Sequence, residues 1–436
     1  MQLKADSTPL RRRLIAASCA LLSTSAARSE EPSNPGFIDR TLKDWQLESA
    51  LAYYHENGRV QAIEPVVSAS HDYGDGGNVN FNFTFDSLSG SSPNGALPSR
   101  TPQTFASPSA KSLATARHLY TTAPGELPAD PRYSDARAAF GADWTLPLTR
   151  LSRLTLGGKV SIEDDFYSGT VSASFAHDFN DKNTTVSFGI DDEGDVIQPV
   201  GSTPVPLSNS AAFQKEGNKS KNGVGALLGV TQVMSRNWLT QLNLSVDRFT
   251  GYLNDPYKIV SVLDVDGNTT GYVYENRPDS RTRKSAYLDN RVGGARASAG
   301  LSLRYMTDSW GIRSETAQVR LRWWSPARQQ YLEPTVRWYH QGAADFFVPW
   351  LPAADEATTR YISSDTRLAA FHALTYGVKY GFSLGDKLHR ADSEFTVRLE
   401  YYRQTLDINT PRPSALQGLN LYPNLEAVLI QFGFSY

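Results

Sequence analysis

The sequence predicts an all-β fold: a transmembrane, antiparallel up-and-down β-barrel of about sixteen strands, with fourteen or eighteen as the neighbouring even counts. Three observations predict it. From Trp45 onward, apolar and polar residues alternate with period two in segments of about 10–16 residues. Soluble strands run nearer 5–6 residues, whereas a tilted strand needs about 9–11 to cross a bilayer. The connections also sort by parity, with short turns on one side of the wall and every long loop on the other, as in an outer-membrane barrel. Composition agrees. Aromatic residues make up 11% of the 436 residues but hydrophobic residues only 40%, as suits a wall with one apolar face. Basic and acidic residues nearly cancel, 43 against 45, which argues against the basic surface of a nucleic-acid binder. No apolar run reaches 18 residues, so no membrane-spanning helix is expected.

Taken in chain order, the first element is an export signal. Residues 11–27 read RRRLIAASCALLSTSAA: three Arg, a short apolar stretch and small residues before Ala27. This pattern predicts a signal peptide over 1–27, cut after Ala27. The single Cys, Cys19, would leave with it, so the mature chain has no disulfide and no thiolate metal ligand. Residues 28–44 read as a loose polar leader on the periplasmic side.

The strands follow. In NVNFNFTFD (78–86), Val79, Phe81, Phe83 and Phe85 share one face, and Asn80, Asn82, Thr84 and Asp86 share the other. Similar alternation marks 154–163, 317–323, 374–384 and 395–401. Sixteen strands are expected near 45–56, 59–73, 78–87, 134–147, 152–165, 167–180, 183–193, 222–234, 237–253, 280–292, 295–308, 310–324, 330–341, 366–384, 392–403 and 426–436. The long outer loops are then 88–133, 194–221, 254–279, 342–365 and 404–425. Trp45, Trp144, Trp238 and Trp323 fall near periplasmic strand ends, and Trp338, Tyr305 and Tyr401 near outer ends. Amphipathic rings at those two levels suit the headgroup layers of a membrane. The last strand, with Val428, Ile430, Phe432, Phe434 and the terminal Tyr436, reads as a signal for the outer-membrane assembly machinery.

The same parity places candidate functional residues. Lys159, Glu163, Arg304, Arg320, Arg322, Glu333, Arg337, Lys379, Arg398 and Glu400 all face the lumen. Arg320, Arg322, Glu333, Arg337, Lys379, Arg398 and Glu400 lie on four consecutive strands, and five of these seven are cations. They form either a network that rigidifies the wall or a constriction that favours anions. The long loop 88–133 carries Ser92, Pro93, Asn94 and Gly95, a stretch placed to fold into the barrel as a plug or to stand outside it. The acidic run Asp191, Asp192, Glu193 and Asp195 reads as a solvated rim more readily than as a cation site. Asp266-Gly267 reads as a hairpin turn.

No catalytic, cofactor or metal residues are assigned. The seven His form no HExxH or closely spaced pair. Ser70, His71 and Asp72 are adjacent on one strand, so they point to opposite faces and cannot assemble a triad by themselves. An enzyme is not expected.

Several strings carry a family resemblance: LESALAYYHENGRVQAIEPVV (47–67), FDSLSGSSPNGALP (85–98), NDKNTTVSFG (180–189), YLEPTVRWYHQGAADFF (331–347) and RLEYYRQ (398–404). The chain resembles a bacterial family known as domain of unknown function number 3570. The resemblance implies an outer-membrane β-barrel of a Gram-negative envelope, surrounded by lipid and lipopolysaccharide, and no particular activity. It also implies a genetic neighbourhood with a small lipoprotein and a flavin-transferring enzyme. Two function classes therefore stand: a channel or transporter for a small solute, and a scaffold in an envelope electron-transfer system with a periplasmic lipoprotein partner. An outer-membrane hydrolase is a remote third.

Overall fold

The computed structural model describes residues 45–74, 76–106, 119–385 and 393–436. The expected signal peptide, Cys19, the leader 28–44, His118 and His389 lie outside the described residues.

Sixteen antiparallel strands close into one barrel in chain order. They are β1 (Trp45–Glu56), β2 (Val60–Asp72), β3 (Asn78–Pro93), β4 (Ala129–Pro147), β5 (Ser152–Ile162), β6 (Phe166–Phe179), β7 (Thr184–Ile197) and β8 (Lys219–Ser235). Then come β9 (Trp238–Gly251), β10 (Ser280–Gly293), β11 (Ala297–Asp308), β12 (Arg313–Trp324), β13 (Gln330–Gln341), β14 (Phe371–Ser383), β15 (Glu394–Leu406) and β16 (Leu425–Ser435). The ring closes by β16 pairing with β1, with Leu51 opposite Phe432 and Tyr53 opposite Ile430. Closure leaves no strand edge with unpaired backbone groups, the condition for crossing hydrocarbon.

The two faces of this wall differ as the alternation requires. Leu156, Val171, Phe188, Leu244, Leu303, Val319 and Leu399 stand on the outside, with Val171 64% exposed. A water-soluble protein would bury such a belt; here it faces lipid. Trp144, Trp238 and Trp323 stand exposed near the short-turn end, and Tyr305, Trp338 and Tyr401 near the long-loop end. On β11 the two aromatic levels, at Ala297 (opposite Trp323) and Tyr305, are eight residues apart. At about 3.3 Å per residue that is about 26 Å along a tilted strand.

Strand ends at the outer rim depart from the sequence expectation. β3 runs on to Pro93, β4 begins at Ala129, β7 reaches Ile197 and β8 starts at Lys219. Three of the long loops therefore shrink, to 94–128, 198–218 and 407–424, while two grow, to 252–279 and 342–370. The extra residues, such as Ser89–Pro93 and Ala129–Tyr133, sit beyond the lipid. Outside hydrocarbon the ladder needs only hydrogen bonds, so the apolar alternation that marks a strand disappears there.

The clusters of buried apolar residues lie in the long loops, although single wall residues such as Phe85 on β3 are also buried. A hairpin rooted between β9 and β10 (Ile259–Leu263 with Thr269–Tyr274) is the hub of these clusters. Val260, Val262 and Val273 pack with Leu351 and Ile362 from the loop after β13. Ile259 packs with Ala96, Phe105 and Tyr120 from the loop after β3. Leu263 packs with Leu97, Leu416 and Leu421, the last two from the loop after β15. Hydrogen bonds follow the same routes: Ile259 N–H to Asn94 O (2.9 Å), Leu97 N–H to Ser261 Oγ (3.0 Å), Ala415 N–H to Asp266 O (3.0 Å) and Leu207 N–H to Tyr274 O (3.1 Å). These loops are rooted all round the rim, so meeting at one hairpin sets a packed cap across the outer mouth. Asp266-Gly267 is the turn of that hairpin, where Asp264 Oδ1 accepts from the backbone of Asp266 and Asn268.

Leu263 is 1% exposed at the junction of three loops. Leu263→Ala should destabilise the cap by about 2–5 kcal/mol. Limited proteolysis should then cut the outer loops faster, while heat-modifiable gel migration, which reports the barrel, stays that of the parent.

Candidate functional site: a polarised lumen beneath the cap

The pleat turns successive residues to opposite faces; nine of the ten sequence-expected lumen residues stand on strands, out of step with the exposed apolar residues there, and Glu163 lies just past β5. Arg304, Arg320, Arg322, Arg337, Lys379 and Arg398 line β11–β15. In a sixteen-strand ring the diametrically opposite strand is eight places on, so these face β3–β7. That wall carries Asp86, Asp143, Asp178, Asp191, Glu193 and Asp195. The lumen thus has a cationic side and an acidic side.

On the acidic side four of the six carboxylates have local cations. Arg137 bonds Asp86, Arg153 bonds Asp178 at 3.0 Å, and Lys221 reaches both Asp195 (2.7 Å) and Glu193 (3.6 Å). Asp192 turns to the outer face, so the acidic run does not act as one group. Glu163 sits just past β5, where burial and the nearby Asp135 push its carboxyl up to about 7, against the pull of Arg137. Lys159, on β5, projects into the lumen with no ion pair among the described residues.

On the cationic side most charges are matched across strands. Arg322 Nε donates to Glu333 Oε2 at 2.6 Å, and its guanidinium lies 4.2 Å over the Tyr331 ring. Tyr331 lies flat because Gly381 is opposite it on β14; a Cβ at Gly381 would fall 2.3 Å from the ring. Tyr331 Oη donates to Glu394 (2.7 Å), with Lys379 Nζ 4.0 Å from the same carboxylate. Arg398 donates to Glu400 at 3.3 Å. Arg320 is 3.5 Å from Asp289, which also accepts from Arg291 at 2.6 Å. Six of the seven expected cluster residues are thus divided among three separate groups, and Arg337 joins none of them. Asp289 and Glu394 were missed in the sequence because a counter-charge on a neighbouring strand is defined by register, which alternation alone does not reveal.

Arg304 and Arg337 have no carboxylate partner among the described residues. They line a cavity of about 350 Å³ together with Asn243, Ser245, Ser285 and Tyr287. Arg304 stands opposite Tyr287 and Thr316, and Arg337 opposite Gln318 and Thr375.

The cap above is tied by buried ions. Arg277 Nε lies 2.7 Å from Glu275, and Arg277 Nη2 lies 2.9 Å from Asp365. Arg367 bonds both Asp365 and Asp255. Ser363 Oγ donates to Glu275 at 2.6 Å. Glu275 and Asp365 are 2% and 3% exposed. Burial pushes Glu275 up to about 7, opposed by Arg277. Asp365 is buried too, but Arg367, Lys258 and Arg277 hold it well below the usual carboxylate range.

The stretch Ser92–Gly95 is shared between wall and cap. Ser92 and Pro93 end β3, and Asn94 Nδ2 donates to Tyr120 Oη at 2.9 Å. Gly95, at φ +97°, packs so closely on Ile259 that a Cβ would sit 2.6 Å from its carbonyl oxygen. This loop is one component of the cap and not a separate body. Residues 107–118 of the loop lie outside the described residues. His71 stacks on Trp45 at 5.2 Å on the outer face, while Ser70 and Asp72 turn inward, so the three do not converge.

Comparison with known proteins adds the following. A family model described as "Protein of unknown function (DUF3570)" matches residues 11–436. No curated protein matches the sequence. Solved structures with some similarity include a bacterial polysaccharide outer membrane secretin (9% identity, 90% of this chain and 98% of that one, TM-score 0.44). They also include the outer membrane protein OpdK from Pseudomonas aeruginosa (11% identity, 90% and 98%, TM-score 0.37). A third is the siderophore receptor PirA from the same organism (8% identity, 93% of this chain and 62% of that one, TM-score 0.40).

The raised Glu275 carboxyl has a measurable consequence. The closed cap holds a proton there that an opened cap releases between its ordinary value and about 7. Stability of the closed cap should therefore fall as pH rises through that window and level off above it. Protease resistance of the outer loops should be higher at about pH 5.5 than at about pH 7.5, and Glu275→Gln should flatten the difference.

Proposed function

We propose that this chain, which belongs to the family of unknown function DUF3570, is an outer-membrane channel for a small solute, with a preference for anions. One observation carries the reading. The lumen wall over β11–β15 concentrates cations, and two of them, Arg304 and Arg337, have no carboxylate partner among the described residues. A low-dielectric wall focuses such a field into the water-filled space and raises the local concentration of the opposite charge. The apolar outer belt and the aromatic levels support a place in a bilayer, and the long-loop cap supports an outward-facing end. The acidic wall opposite makes the field transverse, so a solute with separated charges would be oriented as it passes. The cap acts as the outer gate, since its loops meet across the mouth.

Reconstitution in planar bilayers tests this. The expected result is an anion-preferring conductance that increases when hub residues 259–274 are replaced by a short Gly-Ser turn. Arg320→Ala with Arg322→Ala should reduce or reverse the preference, because Asp289 and Glu333 lose a cationic partner. A silent bilayer, with the hub present or replaced, would overturn the channel; co-purification of a periplasmic lipoprotein would then favour the scaffold. Membrane fractionation checks the location, and a soluble periplasmic monomer would end the reading.

A further inference from the structure

We infer that the cavity at Arg304 and Arg337 is a binding site for a sugar-sized anion bearing several hydroxyl groups. The inference rests on the channel reading for the cavity's place on a solute path, and on the cavity's own chemistry for the ligand.

Size comes first. About 350 Å³ equals the space of about a dozen waters at about 30 Å³ each, enough for one sugar ring with its substituents. Charge comes second. Arg304 and Arg337 flank β12, two strand spacings or about 10 Å apart. The neighbouring lumen carboxylates are already engaged. Asp247, toward the rim, is 3.8 Å from Arg283, and Asp289, toward the short-turn end, is held by Arg291 and Arg320. The two free guanidiniums therefore sit between compensated rows, and each offers a planar fork suited to a carboxylate or a phosphate.

Polarity comes third and separates a sugar from a bare ion. Between the two arginines, Thr316 and Gln318 project from β12 with no side-chain hydrogen bond to any described residue. Across the cavity Ser245 and Ser285 bond each other at 2.8 Å, leaving further lone pairs on both oxygens. Leu227 is the one aliphatic side chain of the lining. Hydroxyl and amide groups both donate and accept, which matches the alternating needs of a polyol. A halide would satisfy the guanidiniums and none of these groups. An apolar anion would take their water and return no hydrogen bonds, which is costly.

The test is titration calorimetry on the detergent-purified, full-length barrel, using glucuronate, glucose 6-phosphate, glucose and acetate as probes. The expected result is saturable binding of glucuronate, glucose 6-phosphate or both, with glucose and acetate each at least tenfold weaker. The tighter of the two anions identifies carboxylate or phosphate as the head group. Arg304→Ala and Arg337→Ala should each weaken binding at least tenfold, and Arg337→Lys should recover part of the loss. Heat-modifiable migration shows that the variants are folded barrels. Equal affinity for glucose and glucuronate, equal affinity for acetate and glucuronate, or an unchanged Arg304→Ala/Arg337→Ala double variant would each overturn the site. Conductance without binding removes the site and leaves the channel; binding without conductance does the reverse.

Discussion

Hydrocarbon offers no hydrogen-bond partner to a backbone N–H or C=O, so a sheet that crosses a membrane must pair its last strand with its first. Here that seam runs from Glu48 opposite Ser435 to Glu56 opposite Ala427. Once it is closed, every side chain on the wall has only two destinations. A shift of one residue would send the apolar set inward and the charged set into lipid, so register is strongly specified by the solvent on each side. The exposed belt, the aromatic levels and the charged lumen all follow from this one requirement.

A wet lumen tolerates charge, and the chain uses that freedom unevenly. Cations gather on β11–β15 and carboxylates on the strands opposite. Most of these charges are matched by a partner two residues along the strand or on the next strand, as Arg398 is by Glu400 and Arg322 by Glu333. Tyr331, seated over Gly381, packs the face of this network and accepts the Arg322 guanidinium on its ring. Against a background of mostly matched charges, Arg304 and Arg337 in a polar cavity have a field directed at whatever enters.

Among the described residues the packed apolar clusters lie in the long loops and not within the barrel wall. The strand Ile259–Leu263 is buried on both faces, with loops from around the rim packed against it. Such a cap can hold together only because its ions are satisfied. Glu275, Arg277 and Asp365 exchange bonds within a space from which water is largely excluded, where an unpaired charge would be expensive, and the exposed Arg367 closes over Asp365 from outside. Wall and cap are thus stabilised by different means, the first by ladder closure and the second by burial.

Alternation and loop parity alone were enough for the strand number and the hairpin turn at Asp266-Gly267. These are local periodic properties, imposed residue by residue by lipid on one face and water on the other. The outer strand ends, such as Ser89–Pro93, were not legible, because beyond the lipid that pressure ceases. Nor were the partners of the lumen charges. Asp289 serves Arg320 across 31 positions of sequence, and Ser363 reaches Glu275 across 88. Which arginines are neutralised and how loops from around the rim come to meet on one hairpin depend on inter-strand register and loop packing. Those are contacts between distant segments, formed only when the closed ring brings them together.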